Sequence, residues 1–261
     1  MEERVKIIRE NLCTIRENIR VPLSFPQVTL MTTDLKLAIQ TAHKAATFIR
    51  KNFQQEFRTE EKSDNSLVTS VDLDAEEIII TELQKHSNHA ILSEESGSLP
   101  GSTGFTWVID PIDGTSNFSR NFHPFAVPIA LMDDDESRMG VIQNPLTDEC
   151  FYAEHKNGAF LNGRPIQVST NSSPVKSIVF FNYGSAQQDR QRIVKVVNQL
   201  IFEFDLRIWG TTAWELCAVA KGTDDAFVCV GDKLWDFAAG MCIIKEAGGE
   251  FCDWTGELWN S

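Results

Sequence analysis

Residues 107–118 read WVIDPIDGTSNF, and this stretch decides the fold and the chemistry more than any other part of the chain. Its apolar start predicts the end of a buried strand, and Asp110 follows where that strand leaves the core. Asp113 comes three residues later, so both carboxylates can turn towards one point. Carboxylate and carbonyl oxygens are the ligands that Mg²⁺ prefers. Gly114 lets the backbone approach an anion, and the hydroxyl of Thr115 can position a water molecule.

Three other acidic positions lie at the ends of predicted elements. Glu94 and Glu95 follow the apolar run AILS, Asp72 ends LVTSVD, and Asp236 lies in LWDFAAG at the predicted start of a helix. Taken singly, each has a structural interpretation: Asp72 and Asp236 as helix caps, and the glutamates as surface acids. Their chemical meaning depends on whether the fold brings them to residues 110–115.

Outward from these motifs, the hydrophobic periodicity predicts a layered α/β fold. Residues 1–20 form a predicted amphipathic helix, and a second helix is expected to begin near Thr33 or Asp34. Residues 91–153 carry short β-rich runs, and Asn162-Gly163 between apolar flanks predicts a two-residue hairpin. Further helices are predicted near residues 75–86, 187–202, 211–220 and 235–246.

The domain organisation follows from the same pattern. Residues 1–32 are expected to form a helical extension and linker, and residues 33–261 one continuous α/β domain. Within it, antiparallel strands dominate a first sub-region, about 33–155, and strands and helices mix in a second, about 156–261.

Composition limits the classes of function. The net charge of -13 argues against non-specific nucleic-acid binding, because a phosphate backbone would be repelled. No segment approaches the roughly 20 apolar residues of a membrane span. The six cysteines form no CxxC pair, and the first residues lack an apolar signal core, so we expect a cytoplasmic protein with reduced thiols.

Taken together, the motifs resemble the inositol monophosphatase family of Mg²⁺-dependent, Li⁺-sensitive phosphatases. The resemblance is carried by KSDNSLVTSVD, SEES, DPIDGTSNF, GAFLNGRPI, WDFAAG and EAGG, which follow one another in this order between about Leu35 and Gly256. It implies an αβαβα sandwich of helices and mostly antiparallel or mixed sheets. It also implies hydrolysis of small soluble phosphate esters, with inositol-1-phosphate-type substrates first, and a homodimer.

By this resemblance, two or three Mg²⁺ ions, which Mn²⁺ can replace, would lie among the carboxylates. Glu94, Asp110 and the carbonyl of Ile112 would bind the first ion, and Asp110, Asp113 and Asp236 the second. Asp72, Thr115 and Glu94 are the expected catalytic residues. Asp72 and Thr115 would orient the attacking water, and Glu94 would be available for a further, more weakly bound ion. Substrate and phosphate contacts are expected from Asp113, Gly114, Thr115 and Glu215.

The sequence departs from the family pattern at Cys229. Family members that act on inositol phosphates usually have a glutamate there, seven residues before the aspartate of the WD motif. Fructose-1,6-bisphosphate, NADP, 3′-phosphoadenosine phosphate and histidinol phosphate therefore stay open as substrates. An inactive family member that binds a protein is the alternative from a different class. Phe181, Trp209 and Trp214 are candidate surface residues for the dimer.

Overall fold

The computed structural model describes residues 31–63, 66–171, 173 and 177–259. The predicted helix at residues 1–20 and most of the predicted linker lie outside these residues. None of the helices in the described ranges is long and apolar enough to cross a membrane.

Six helices form in the described part of the chain: α1 (Thr33–Asn52), α2 (Ser70–His86), α3 (Thr115–Ser119), α4 (Gln187–Leu200), α5 (Thr212–Ala220) and α6 (Leu234–Glu246). Helix α1 begins where its sequence predicts, because the side chain of Thr32 accepts a hydrogen bond from the Leu35 N–H at 3.2 Å. Helices α4, α5 and α6 also begin within one residue of their predicted starts.

Thirteen strands complete the described fold: β1 (Thr59–Glu61), β2 (Leu67–Thr69), β3 (Ala90–Ser93), β4 (Gly97–Leu99), β5 (Phe105–Ile109), β6 (Val127–Asp133), β7 (Glu136–Gln143), β8 (Cys150–Glu154), β9 (Ala159–Leu161), β10 (Arg164–Pro165), β11 (Ile178–Tyr183), β12 (Asp205–Arg207) and β13 (Ala226–Val230). Strands β1 and β2 pair with each other. An eight-stranded sheet has the order β10-β9-β8-β7-β6-β5-β3-β4, and a three-stranded sheet the order β12-β11-β13.

The sheets are mixed, as predicted. In the eight-stranded sheet only β3 and β5 run parallel, whereas both pairs of the three-stranded sheet are parallel. The predicted hairpin joins β9 to β10, and Asn162 and Gly163 both have positive φ, at 48° and 79°. Positive φ at both central residues is what a type I′ turn requires.

Helices and sheets alternate in five layers. Along β5, Trp107 and Ile109 face a core shared with α1 and α2, whereas Val108 faces a second core shared with α5 and α6. The three-stranded sheet packs on the far side of α5 and α6, and Val179 contacts α4 through a third, smaller core. This arrangement confirms the αβαβα sandwich expected from the sequence.

At Gly140 in β7, helix α6 lies very close to the large sheet. A Cβ atom at Gly140 would lie 2.1 Å from the carbonyl oxygen of Ala239, a backbone atom in α6. Only a residue without a side chain fits at this distance, so this contact sets the spacing of the two layers and the position of α6.

Two sequence-based expectations are wrong. Helix α2 begins at Ser70 rather than near Ala75, because Thr69 and Asp72 form a capping box five residues earlier than the apolar periodicity indicates. Trp214 is not a surface residue: it is buried, and its ring packs edge-on against Phe151 at 5.5 Å.

Candidate active site

Asp110 and Asp113 lie in the tight turn that follows β5. The Ile112 N–H donates to Asp110 Oδ1 at 2.9 Å, which fixes the carboxylate where the strand ends. Asp113 and Ala126 exchange both backbone hydrogen bonds, at 2.9 and 3.0 Å, so the turn is also held to the residue before β6. Both aspartates are buried, and their positions are therefore set by the large sheet.

The Asp113 carboxylate also reaches the second sub-region of the fold. Its Oδ2 accepts hydrogen bonds from the Thr211 hydroxyl and from the Ala213 N–H, the latter at 2.8 Å. These groups belong to the start of α5, so Asp113 provides the N-terminal cap of a helix almost 100 residues later in the chain. Nothing local in the sequence indicates this role for Thr211.

Gly114 and Thr115 start the short helix α3. Gly114 has φ of 93°, and a Cβ there would approach Thr211 Cβ to 3.2 Å, so glycine satisfies both the backbone and the close packing. The Thr115 hydroxyl lies 2.9 Å from Asp72 Oδ1 and 2.9 Å from the carbonyl oxygen of Ile112. The structure thus brings Asp72 and Thr115 together, although 43 residues separate them.

Asp72 is a buried carboxylate held by its own helix start. Its Oδ2 accepts hydrogen bonds from the Thr69 N–H, at 2.9 Å, and from the Thr69 hydroxyl. Burial raises the pKa of Asp72 to about 6, although these hydrogen bonds and the one from Thr115 act in the opposite direction. Asp72 is therefore a carboxylate that can accept a proton near neutral pH.

Glu94 and Glu95 lie in the turn after β3, and two residues that the sequence analysis missed hold them there. Glu76 is buried in α2 and accepts hydrogen bonds from the Glu95 and Ser96 N–H groups, both at 3.1 Å. The ammonium group of Lys62 lies 2.7 Å from Glu94 Oε1 and also contacts Glu95. The neighbouring carboxylates raise the pKa of Lys62 despite its partial burial.

Asp236 lies in the first turn of α6, as predicted. Its Oδ2 accepts a hydrogen bond from the Lys233 N–H at 2.6 Å, which leaves the other oxygen outside this cap. Burial and the charges of Asp113 and Asp232 raise the pKa of Asp236 well above its ordinary value.

Mutual repulsion shows that these carboxylates share one site. Burial raises the pKa of Asp110, and the charges of Glu94, Asp113, Asp236 and Asp72 raise it further, in that order. The pKa of Asp113 is raised to about 7, again chiefly by burial. The other carboxylates therefore lie within electrostatic range of Asp110, in a poorly solvated space.

This donor set fits a hard divalent cation. It consists of carboxylates and a carbonyl, without histidine or thiolate, and a cation would relieve the repulsion that raises the pKa values. The described residues contain no group of three or more acidic, histidine or cysteine side chains already arranged to hold a metal ion, so the carboxylates form an open set in this structure. Mg²⁺ suits such an open arrangement, because it usually keeps several water ligands.

Glu215, a predicted substrate contact, is fully buried in α5. Its Oε1 accepts hydrogen bonds from the Trp209 and Gly210 N–H groups, at 2.5 and 3.2 Å. No hydrogen-bond partner for Oε2 occurs in the part of the chain that the structure describes. Burial raises the pKa of Glu215 to about 9, so the neutral acid holds the loop that leads into Thr211. A contact with substrate remains a prediction.

Comparison with known proteins places these residues in context. A model of the inositol monophosphatase family matches residues 30–261. The chain is 37% identical over 228 residues to the Nus factor SuhB of Escherichia coli, covering 85% of each chain. It is 35% identical over 231 residues to inositol monophosphatase 1 of Solanum lycopersicum, again covering 85% of each. A solved IMPase of Thermotoga maritima superimposes with a TM-score of 0.79 at 30% identity, covering 87% of this chain and 88% of that one.

Proposed function

The chain belongs to the inositol monophosphatase family, and we propose that it is a Mg²⁺-dependent phosphomonoesterase acting on small phosphate esters, inositol-1-phosphate-type substrates first. The observation that carries the proposal is the pairing of Thr115 with Asp72 beside the mutually repelling carboxylates of Asp110 and Asp113. A catalytically inactive relative would be expected to have lost part of this set.

Two metal positions are part of the proposal. We assign Glu94, Asp110 and the Ile112 carbonyl to one ion, and Asp110, Asp113 and Asp236 to the other. Bound divalent ions supply a water molecule of lowered pKa and neutralise the phosphoryl oxygens. Since Lys62 binds Glu94 in this structure, ion binding at Glu94 requires the ammonium group to give up part of that contact.

We assign the proton of the attacking water to the pair formed by Thr115 and Asp72. As the water attacks, its proton passes to the Thr115 oxygen while the Thr115 hydroxyl proton passes to Asp72, whose pKa of about 6 leaves it ionised at neutral pH. The water oxygen forms the new bond to phosphorus as the bond to the alcohol oxygen breaks, and the alkoxide then takes a proton from solvent. No covalent enzyme intermediate is needed.

The phosphate group is assigned to the start of α3. The backbone N–H groups of Gly114 and Thr115 belong to the first turn, where an α-helix does not use them internally. These N–H groups would donate hydrogen bonds to the phosphate oxygens, and metal ions bound near Asp113 would supply the positive charge.

A second candidate function follows from one comparison. The E. coli relative is a Nus factor, which favours a role of that kind, in which the chain acts through partner molecules with or without catalysis. The homodimer and the cytoplasmic location also belong to the proposal.

A phosphate-release screen tests the proposal directly. Purified protein with Mg²⁺ is offered inositol-1-phosphate, fructose-1,6-bisphosphate, NADP, 3′-phosphoadenosine phosphate and histidinol phosphate, before and after EDTA treatment. We expect release that EDTA abolishes and that Asp110→Asn reduces at least about 100-fold. Asp205→Asn, whose side chain is 72% exposed, is the matched control and should keep full activity.

Each negative result has its own meaning. Release that survives exhaustive chelation would refute the metal mechanism. Absence of release from every ester would refute the phosphatase proposal and favour the Nus-factor candidate.

A further inference from the structure

A polar cluster that the mechanism does not use lies at the ends of two parallel strands. Strands β11 and β13 are neighbours, and their last residues, Tyr183 and Val230, are paired in register. Asn182 lies near the end of β11, and Asp232 follows β13 by two residues. The carboxyl ends of parallel strands are where ligands bind in many α/β folds.

Three side chains form a hydrogen-bonded network around the Asp232 carboxylate. Two donate to the carboxylate itself, and the third donates to one of these two. The Thr212 hydroxyl donates to Asp232 Oδ2 at 2.6 Å, and the Asn182 side-chain N–H donates in turn to the Thr212 oxygen at 2.9 Å. The thiol of Cys229 donates to Asp232 as well. We call these four residues the Asp232 cluster.

The cluster has acceptor capacity to spare. An ionised carboxylate accepts about four hydrogen bonds, and the hydroxyl and the thiol use two of them. Among the described residues, no lysine, arginine or histidine forms an ion pair with Asp232. Asp232 is half-buried, and it lines a cavity. If Asp232 served only to hold the loop before α6 against α5, a neutral hydrogen-bond acceptor would be sufficient, and a carboxylate without an ion-pair partner would not be needed.

The Asp232 cluster adjoins the assigned metal site through the start of α5. Thr212 donates to Asp232, and its two neighbours in the chain donate to Asp113. Its charge raises the pKa of Asp113 and of Asp236, both assigned to the metal site, which places it within electrostatic range of both. Cys229 and Asp232 also belong to the wall of a cavity of about 890 Å³ that runs along β13 and α6. The cluster thus borders both the assigned metal site and this cavity.

We propose that Asp232 determines the specificity for the alcohol part of the substrate, by accepting a hydrogen bond from one of its hydroxyl groups. The proposal rests on the phosphatase function and deepens it. It favours phosphate esters of neutral polyols, such as cyclitols and sugars, over esters of alcohols that carry no second hydroxyl. It also disfavours substrates with a second phosphate near this position, because two uncompensated anions would repel each other.

The test compares two substrates on the same enzyme preparation. Wild type and Asp232→Asn are assayed with inositol-1-phosphate, which has neighbouring hydroxyls, and with 4-nitrophenyl phosphate, which has none. We expect kcat/KM for inositol-1-phosphate to fall about 10-fold or more in the variant, mainly through KM. The value for 4-nitrophenyl phosphate should change by less than about 3-fold, because its leaving group offers no hydroxyl to Asp232.

The ratio of the two kcat/KM values decides the outcome. This ratio does not depend on the fraction of folded enzyme, so a partly destabilised variant still gives an answer. Asp205→Asn is again the control. An unchanged ratio, whether both values fall together or neither falls, overturns the role of Asp232. If the wild-type enzyme releases phosphate from neither ester, the underlying phosphatase function has failed, and the specificity role fails with it.

Discussion

Removing the charge of Asp72 should stabilise the metal-free protein while impairing its chemistry. Asp72 is 1% exposed, and its pKa rises from 3.8 to about 6 on folding. A shift of about two units corresponds to about 3 kcal/mol of unfolding free energy. Because the folded-state pKa is the higher one, this stability is present below about pH 4 and is lost as the pH rises through about 6.

Asp72→Asn removes the charge and can keep the local hydrogen bonds. The amide oxygen takes the place of Oδ2 and accepts from the Thr69 N–H, and the amide nitrogen donates to the Thr115 hydroxyl. Thr115 then donates to the Ile112 carbonyl, which is already 2.9 Å away. We therefore expect the variant to be about 2–3 kcal/mol more stable than wild type at about pH 7.5 in EDTA.

Thermal unfolding with excess EDTA measures this difference. For a chain of this size each kcal/mol shifts Tm by about 2–4 °C, so we expect a rise of roughly 4–12 °C at about pH 7.5. The gap should shrink at about pH 5, where the wild-type carboxyl is already protonated. The same variant should release phosphate slowly, because the Thr115 proton has lost its acceptor.

Asp205→Asn, on the surface, should leave Tm within about 2 °C of wild type at both pH values. A variant of Asp72 that melts at or below the wild-type temperature at about pH 7.5 would refute the reasoning. A gap that stays the same at both pH values would refute it equally.

Three further predictions address the metal site and the packing. Asp110→Asn should be the most damaging of the metal-ligand changes, because Asp110 is assigned to both ions. Asp236→Asn should mainly raise the Mg²⁺ concentration needed for half-maximal phosphate release. Near wild-type turnover of Asp110→Asn would contradict the assignment. Gly140→Ala should lower the unfolding free energy by about 2 kcal/mol or more, because its Cβ would lie 2.1 Å from a backbone oxygen of α6. Urea denaturation measures this loss, and an unchanged midpoint would show that the two layers can move apart without cost. Lys62→Met should lower Tm in EDTA, because Glu94 and Glu95 lose the cation that they share. Added Mg²⁺ should restore most of the lost Tm. An equal loss of Tm with and without Mg²⁺ would contradict the assignment of a metal ion to Glu94.

Local signals predicted much of the fold, because the decisive interactions lie a few residues apart. The cap of α1 and the Asn162-Gly163 turn depend on neighbouring residues only, and both form where expected. Helix α2 shows the limit of periodicity: the capping box of Thr69 and Asp72 starts the helix, although the preceding segment has the composition of a strand.

The site residues also differ in whether neighbouring residues alone predict their roles. The turn at residues 110–115 is a local motif, and its position after β5 could be predicted. Glu76, Lys62 and Asp232 could not, because their roles depend on contacts with segments 19, 32 and 20 residues away. At Cys229 the sequence indicates a missing carboxylate, whereas the structure places the Asp232 carboxylate against that thiol.

The bond from Asp113 to the start of α5 has a consequence for protein engineering. One carboxylate joins the first half of the chain, which carries most of the assigned metal ligands, to the half that holds the Asp232 cluster. A chimaera that takes residues 1–170 from this chain and the remainder from a relative should align its two halves only if the donor segment supplies a hydroxyl at 211 and a free N–H at 213. Exchange of whole C-terminal halves with this junction preserved is thus a direct way to transplant substrate preference without redesigning the catalytic turn.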